Sequence, residues 1–346
     1  MKTMKAAVLS KPYKIGIKNV PIPQIGENEV LIKVEACGIC GSDVHAYEGN
    51  HFMVTYPRVL GHEFAGIIVE TGPKVKDLKA GDRVCAETNI PCGECYLCKN
   101  GNARLCKNKL VNGFNLDGGL AQYAKIPEQN AVLLPANVTT EDAALAQPIG
   151  VGYHAIMDRT QLKSGNYIAV FGAGAIGLGV MVVAKSVGAK VIMIDLLDHK
   201  LQVSLVMGAD YIVCPGEEDL QQRVMEITNG VGVDYVFECV GGGQSTTIQQ
   251  AVDIVKCSGS IVVVGTFAHK EMAVNINGIR AKEIDLKGSH GQYGTYEHCI
   301  DLVGNGKANV RPMYTHELRL KDIEVGIKMI KEHKDGIIKA LIKPWK

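Results

Sequence analysis

Four cysteines in the run Cys92-x2-Cys95-x2-Cys98-x7-Cys106 constrain this chain more than any other feature. Thiolates at these spacings, set among Gly93, Gly101 and several lysines, can wrap one Zn²⁺ in a closed tetrahedral cage. Such a cage holds structure and leaves no position open for chemistry. An iron–sulfur run of the bacterial ferredoxin type has a short final gap and a following proline. Here the final gap is seven and Lys107 follows, so zinc fits better. The chain has 11 cysteines and begins without the apolar core of a signal peptide. Clustered cysteines then read as metal ligands in a reducing cytoplasm rather than as disulfides.

A second set has a different character. Cys37-Gly-Ile-Cys40-Gly-Ser42-Asp43-Val-His45 is followed by Gly61-His62-Glu63. It offers one thiolate, one imidazole and one carboxylate. Cys40 and His62 are the first ligands, and Glu63 binds directly or supports them from behind. Asp43 can accept from the other ring nitrogen of His62 and fix its tautomer. A zinc with three protein ligands holds a water or an alcohol oxygen in its fourth position and lowers the pKa of a bound water to about 7. Ser42 is placed to take an alcohol proton and His45 to pass it to solvent. Cys37 reads as core, and His51, His154 and His290 are not needed by this scheme, although His290 follows the last strand, where it could border the nicotinamide or substrate.

Bulk properties exclude other classes. The formal net charge is +1, so no basic field recommends nucleic acid and no polybasic tract recommends a membrane surface. No segment approaches about 18 uninterrupted apolar residues, so no membrane-spanning helix is expected. A length of 346 residues suits two domains.

Residues 5 to about 150 are dense in turn signals separated by short β-branched runs such as 29–35 and 64–70, the pattern of an irregular β-rich unit. The texture changes near Pro148. Candidate strands at 167–171, 191–195, 211–214, 234–238, 260–265 and 284–288 alternate with helical periodicity at 175–187, 219–228 and 245–255. That alternation implies a six-stranded, doubly wound parallel sheet. The tail from about residue 293 adds two amphipathic helices and an apolar end at 336–342, and is expected to return to the first unit. The expected domains are 1–150, with a zinc lobe at 90–107, then 151–288, then 289–346. The fold class is α/β, a β-rich catalytic domain with an inserted dinucleotide-binding domain.

The first of those strands leads into Gly172-Ala-Gly174-Ala175-Ile176-Gly177. Gly172 permits the tight turn, Gly174 lets the backbone approach a pyrophosphate, and Gly177 lets the helix pack close to the strand. The helix N-terminus faces the phosphates. Asp195 ends the next strand, where it can accept both ribose hydroxyls and repel a 2′-phosphate. No arginine follows it, so NAD is preferred to NADP. Strand before, helix after and acid at the next strand end make the fingerprint specific. Lys200 lies where it can touch the adenosine ribose, and Gly265 and Thr266 complete the cofactor-binding set.

Together these motifs resemble the zinc-containing medium-chain dehydrogenases, the superfamily of alcohol, sorbitol, butanediol and threonine dehydrogenases. The stretch Gly61-His62-Glu63-x2-Gly66-x5-Gly72-x2-Val75 is similar to the family's zinc signature, Cys37 to His45 to its catalytic loop, and Cys92 to Cys106 to its structural-zinc lobe. The resemblance covers nearly the whole chain. It implies a GroES-like catalytic domain, a Rossmann domain, a cleft between them with closure on NAD, and two zinc ions per chain. It also implies a homo-oligomer, a tetramer with a dimer as the runner-up. Cys40-Gly-Ser42 and Ala146-Gln147-Pro148-Ile149 lie nearer the polyol and butanediol branch. That branch has Glu before the proline, whereas this chain has Gln147, a poorer zinc ligand, which leaves Glu63 as third ligand. Tyr47 and Phe114 fall where the branch has pocket-wall side chains.

The expected activity is hydride transfer between NAD and a secondary alcohol, giving the ketone. The substrate class is a polyol, a vicinal diol or a related hydroxy compound of sorbitol, xylitol, 2,3-butanediol or threonine type. The alternative is a catalytically silent dinucleotide-binding protein with a structural or regulatory role, which only Gln147 favours.

Overall fold

The computed structural model describes residues 2–241, 246–267 and 271–346. By internal contacts the chain divides into two units. One comprises Met1–Gln147, Gln292–Gly304 and Tyr314–Lys346, the other Pro148–Gly291 and Asn305–Met313.

The first unit is built on a seven-stranded sheet. Its order is Ala131–Leu133, Arg83–Ala86, Phe64–Thr71, Glu29–Ile39, Lys339–Lys343 and Tyr314–Arg319, with Tyr123–Pro127 also pairing with Glu29–Ile39. Glu29–Ile39 is central and reads almost entirely apolar from Val34 onward, with Val30, Ile32, Val34 and Ile39 buried. Against it packs a core that includes Leu9, Phe64, Ile68, Leu120, Ile126 and Ile327. A smaller sheet pairs Thr3–Lys11 with Lys14–Pro21 and Arg58–Val59. The tail supplies the helices Tyr296–Gly304 and Ile323–Glu332 and the strand Lys339–Lys343.

The second unit is a six-stranded, wholly parallel sheet. Its order is Tyr211–Val213, Lys190–Ile194, Tyr167–Phe171, Val233–Glu238, Val255–Val263 and Asp285–Gly288. In chain order that is 3-2-1-4-5-6, the doubly wound arrangement whose switch point lies between the first and fourth strands. Helix Ala175–Val187 falls where the periodicity places it, and Leu220–Ile227 lies inside the expected 219–228. The helix expected at 245–255 is Thr247–Ile254. Ser245 lies outside the described residues, and Val255 already belongs to the next strand. Two further helices, Asp198–Val206 and Ile276–Lys282, have no counterpart in the sequence reading.

Glu238 ends the fourth strand fully buried. Its Oε1 accepts from the Thr247 hydroxyl at 3.0 Å and the Val240 N–H at 3.2 Å, while Oε2 has no partner among the described residues. Burial pushes this carboxyl from 4.5 up to about 7. A folded-state pKa above the unfolded one gives stability that is complete below about pH 4.5 and lost as pH rises through about 7. The unfolding free energy of the wild type minus that of Glu238→Gln should therefore fall by roughly 2 kcal/mol from pH 5 to pH 8. Denaturant titrations at the two pH values measure it, and a difference that stays flat contradicts the assignment.

Candidate functional site

Three strands of the first unit bring the mixed-ligand set together. Cys40 follows Glu29–Ile39, and His62 and Glu63 precede Phe64–Thr71. These two strands run antiparallel with Cys37 opposite Phe64, and the Gly38 N–H donates to the Glu63 carbonyl at 2.7 Å. Lys339–Lys343 pairs on the other side of Glu29–Ile39, with Ala340 opposite Ile39. The ligand atoms of Cys40, His62 and Glu63 all lie within 4.8 Å of one another. A soft sulfur, an imidazole nitrogen and a carboxylate oxygen form a donor set that fits a catalytic zinc with a position to spare.

Cys40 is also the cap of helix Gly41–Glu48. Its N–H donates to Asp43 Oδ2 at 2.8 Å. The helix then carries Ser42 and His45 three residues apart, on one face. Ser42 Oγ lies 3.3 Å from His62 Nε2, and His45 is exposed. Asp43 Oδ1 stands 3.8 Å from His62 Nδ1, ion-pair range but longer than the hydrogen bond expected from the sequence. Burial pulls the His62 pKa down, but Asp43, Cys40 and Glu63 outweigh it and raise it to about 9.

The residue that the sequence reading missed is Lys339. Its Nζ donates to both Glu63 oxygens, at 2.9 and 2.8 Å, in an ion pair almost wholly removed from solvent. Burial lowers the Lys339 pKa, yet Glu63 and Cys40 more than offset this and raise it. Gly38 makes room for the carboxylate, because a Cβ there would overlap Glu63 Oε2. A lysine inside Gly336-Ile-Ile-Lys-Ala-Leu-Ile342 was the available signal. Gln147 ends its segment of the first unit with Oε1 buried and without a partner among the described residues. Of the two expected pocket-wall residues, Phe114 packs on the His62 ring with centroids 4.8 Å apart. Tyr47 is instead core, its hydroxyl bonded to Glu324 Oε1 at 2.9 Å.

In the four-cysteine lobe, Sγ separations are 3.5 Å for Cys95–Cys98 and Cys92–Cys106, 3.8 Å for Cys95–Cys106 and 4.0 Å for Cys92–Cys98. A tetrahedron with metal–sulfur bonds of about 2.3 Å has edges of about 3.8 Å. The thiols already stand where one zinc would hold them. Backbone N–H groups of Glu94 and Cys95 pull the Cys92 thiol toward its thiolate.

In the second unit, Gly172 has φ +91° and Gly174 begins helix Ala175–Val187 with no side-chain cap. First-turn N–H groups without a side-chain acceptor suit a phosphate. A Cβ on Gly177 would overlap the Gly172 carbonyl, so helix and turn pack as the fingerprint requires. Asp195 Oδ2 accepts from the Ala173 N–H at 2.7 Å and Oδ1 from Leu197 N–H at 3.0 Å. Gly265 donates to the Glu238 carbonyl at 2.9 Å, which places it and Thr266 at the carboxyl end of the sheet. Ala175 and Ile176 form the helix's first turn. Lys200, on Asp198–Val206, is buried rather than solvated.

The chain matches the alcohol dehydrogenase GroES-like domain over residues 26–136 and the zinc-binding dehydrogenase family over 175–305. It is 35% identical to the sorbitol dehydrogenase of Bacillus subtilis (strain 168), over 99% of this chain and 97% of that protein. A Sinorhizobium meliloti 1021 protein described as a zinc-binding dehydrogenase, bound to NADP, superposes with a TM-score of 0.93 at 32% identity, covering 99% of this chain and 100% of that one. The 2R,3R-butanediol dehydrogenase of Bacillus subtilis gives 0.90 at 31% identity, covering 99% of each chain. The chain belongs to the zinc-type alcohol dehydrogenase superfamily and is an oxidoreductase. No helix among the described residues is long and apolar enough to cross a membrane.

Removing one partner of a buried ion pair leaves the other charged and unpaired, at a cost of about 3–5 kcal/mol. Lys339→Met should destabilise the protein by about that amount, and adding Glu63→Gln should restore much of it. Denaturant unfolding of both variants checks this. A single variant within about 0.5 kcal/mol of wild type would show that the pair carries no such weight.

Proposed function

We propose that this protein oxidises a secondary alcohol of a polyol, a vicinal diol or a related hydroxy compound to the ketone, with NAD as hydride acceptor. The observation that carries the reading is the convergence of Cys40, His62 and Glu63 with Ser42 3.3 Å from the His62 ring. Relatives that act on sorbitol and 2R,3R-butanediol support the substrate class. We assign Cys40, His62 and Glu63 to one zinc and Cys92, Cys95, Cys98 and Cys106 to the other. A carboxylate has about four lone-pair sites, so Glu63 can accept from Lys339 and still serve a metal.

When bound, the zinc at Cys40 supplies Lewis acidity that favours the ionised form of an alcohol, and the nicotinamide dinucleotide takes up the hydride. The chain's own residues manage the proton. Ser42 Oγ accepts it from the substrate hydroxyl while giving its own proton to His45. His45, exposed one turn along the same helix, returns it to solvent. Phe114 covers one side of the His62 ring and excludes water there.

Asp195 supports NAD over NADP, since its charge would oppose a 2′-phosphate. The NADP-bound relative makes this the point to measure. The expected kcat/KM ratio in favour of NAD is at least about tenfold, and equal values would overturn the preference. We read 1–150 as the catalytic domain, 151–288 as the dinucleotide domain and 289–346 as the returning segment. A cytoplasmic homotetramer is the proposed form. Unpaired thiols support the compartment.

The test is a panel of sorbitol, xylitol, 2,3-butanediol and threonine with NAD, read at the absorbance of the reduced nicotinamide, before and after chelation. Activity is expected on at least one member and should vanish on chelation. Chelator-insensitive turnover would remove the metal from the reaction. Cys40→Ser should abolish turnover while the fold survives, whereas Cys95→Ser should lower thermal stability first. A Cys40→Ser chain that fails to fold would contradict the role given to Cys40.

A further inference from the structure

His51 had no place in the scheme read from the sequence, yet the structure sets it beside the mixed-ligand site. Its ring packs on Phe114 with centroids 4.1 Å apart, and Phe114 in turn packs on His62 at 4.8 Å. It also stacks on Phe52, with ring planes parallel to within 2° and centroids 5.6 Å apart. Phe52 is 92% exposed. The four rings thus form a pile of successive contacts that runs from exposed Phe52 to the metal ligand.

The polar edge of His51 is fixed as well. The Met53 N–H donates to His51 Nδ1 at 3.3 Å. A nitrogen that accepts a hydrogen bond carries no proton, so in the neutral ring the proton sits on Nε2. Burial holds the ring neutral, with its pKa lowered to about 4. His51 therefore presents one N–H donor and no charge, with the ring of Phe114 in contact with both it and the ligand His62.

We propose that His51 is a specificity-determining residue whose Nε2–H donates to a second oxygen of the substrate, one not on the reacting carbon. The class it selects is an uncharged polyol or vicinal diol in preference to a simple secondary alcohol. This rests on the secondary-alcohol reading above and sharpens it. A neutral donor recognises a hydroxyl or carbonyl oxygen, whereas a phosphate or carboxylate would call for a cation. Packing on Phe114 and the bond from the Met53 N–H limit the rotamer freedom that a donor on a free side chain would lose on binding.

The experiment compares kcat/KM for 2,3-butanediol and 2-butanol in wild type, His51→Phe and His51→Gln. Phenylalanine keeps the ring pile and removes the donor, and glutamine restores an N–H donor. His51→Phe should lower the diol-to-monoalcohol ratio about tenfold, chiefly through the diol KM, and His51→Gln should recover part of it. Nitrogen-15 NMR of the histidine rings supplies a readout independent of turnover, and should show His51 protonated at Nε2 only. A ratio unchanged by His51→Phe, or a ring protonated at Nδ1, overturns the assignment while leaving the dehydrogenase reading intact. A wild type that turns over neither alcohol, nor any polyol of the panel, defeats the reading beneath it and the assignment together.

Discussion

The Glu63–Lys339 ion pair is the interaction on which the mixed-ligand site depends. Two opposite charges with almost no solvent contact are stable only if each satisfies the other, and here one ammonium serves both carboxylate oxygens. The pair also fixes position. Glu63 precedes one neighbour of the strand Glu29–Ile39 and Lys339 begins the other. Cys40 leaves the end of that central strand. The register that makes the pair therefore also places the thiolate beside His62. Gly38 is part of the same device, since only a residue without Cβ admits the carboxylate at that point.

The two metal-binding groups contrast in how they are specified. The lobe cysteines lie close in sequence, and short turns with a single turn of helix at Tyr96–Lys99 suffice to converge them. The mixed-ligand set needs correct pairing of strands remote in sequence. That difference decided what could be read beforehand. The lobe was legible from spacing alone, as was the dinucleotide turn, whose parts span one strand, one turn and one helix. The mixed set was legible only as residue types, and its third ligand, the Glu63 carboxylate, could be named without its ammonium partner. Lys339 announced itself as a charge in an apolar strand, but nothing local says that its partner lies 276 positions earlier.

The elements that escaped the sequence reading did so for physical reasons. Helix Ile276–Lys282 buries no residue and Asp198–Val206 buries Lys200, Leu201 and Ser204, so neither shows an apolar stripe. The fifth strand of the parallel sheet starts at Val255, five residues before the apolar run that marked it. Its opening Lys256-Cys-Ser-Gly259 reads as a turn, and Ser258 does take φ +56°. The strand absorbs this as an irregularity between Val233 and Tyr235 of its neighbour. His51 gave no signal because its meaning comes from the aromatic rings around it, not from its own neighbours in sequence.

The order of synthesis follows from the same ion pair. Glu63 leaves the ribosome early, and the whole parallel-sheet unit is translated before Lys339 emerges. Until then the nascent chain holds a carboxylate that has no counter-charge to bury with, so closing the β-rich half over that point carries a desolvation cost that Lys339 later offsets. A message cut short after codon 177 and before codon 339 would yield a polypeptide that keeps every proposed metal ligand and the complete glycine turn, yet leaves Glu63 without its ammonium.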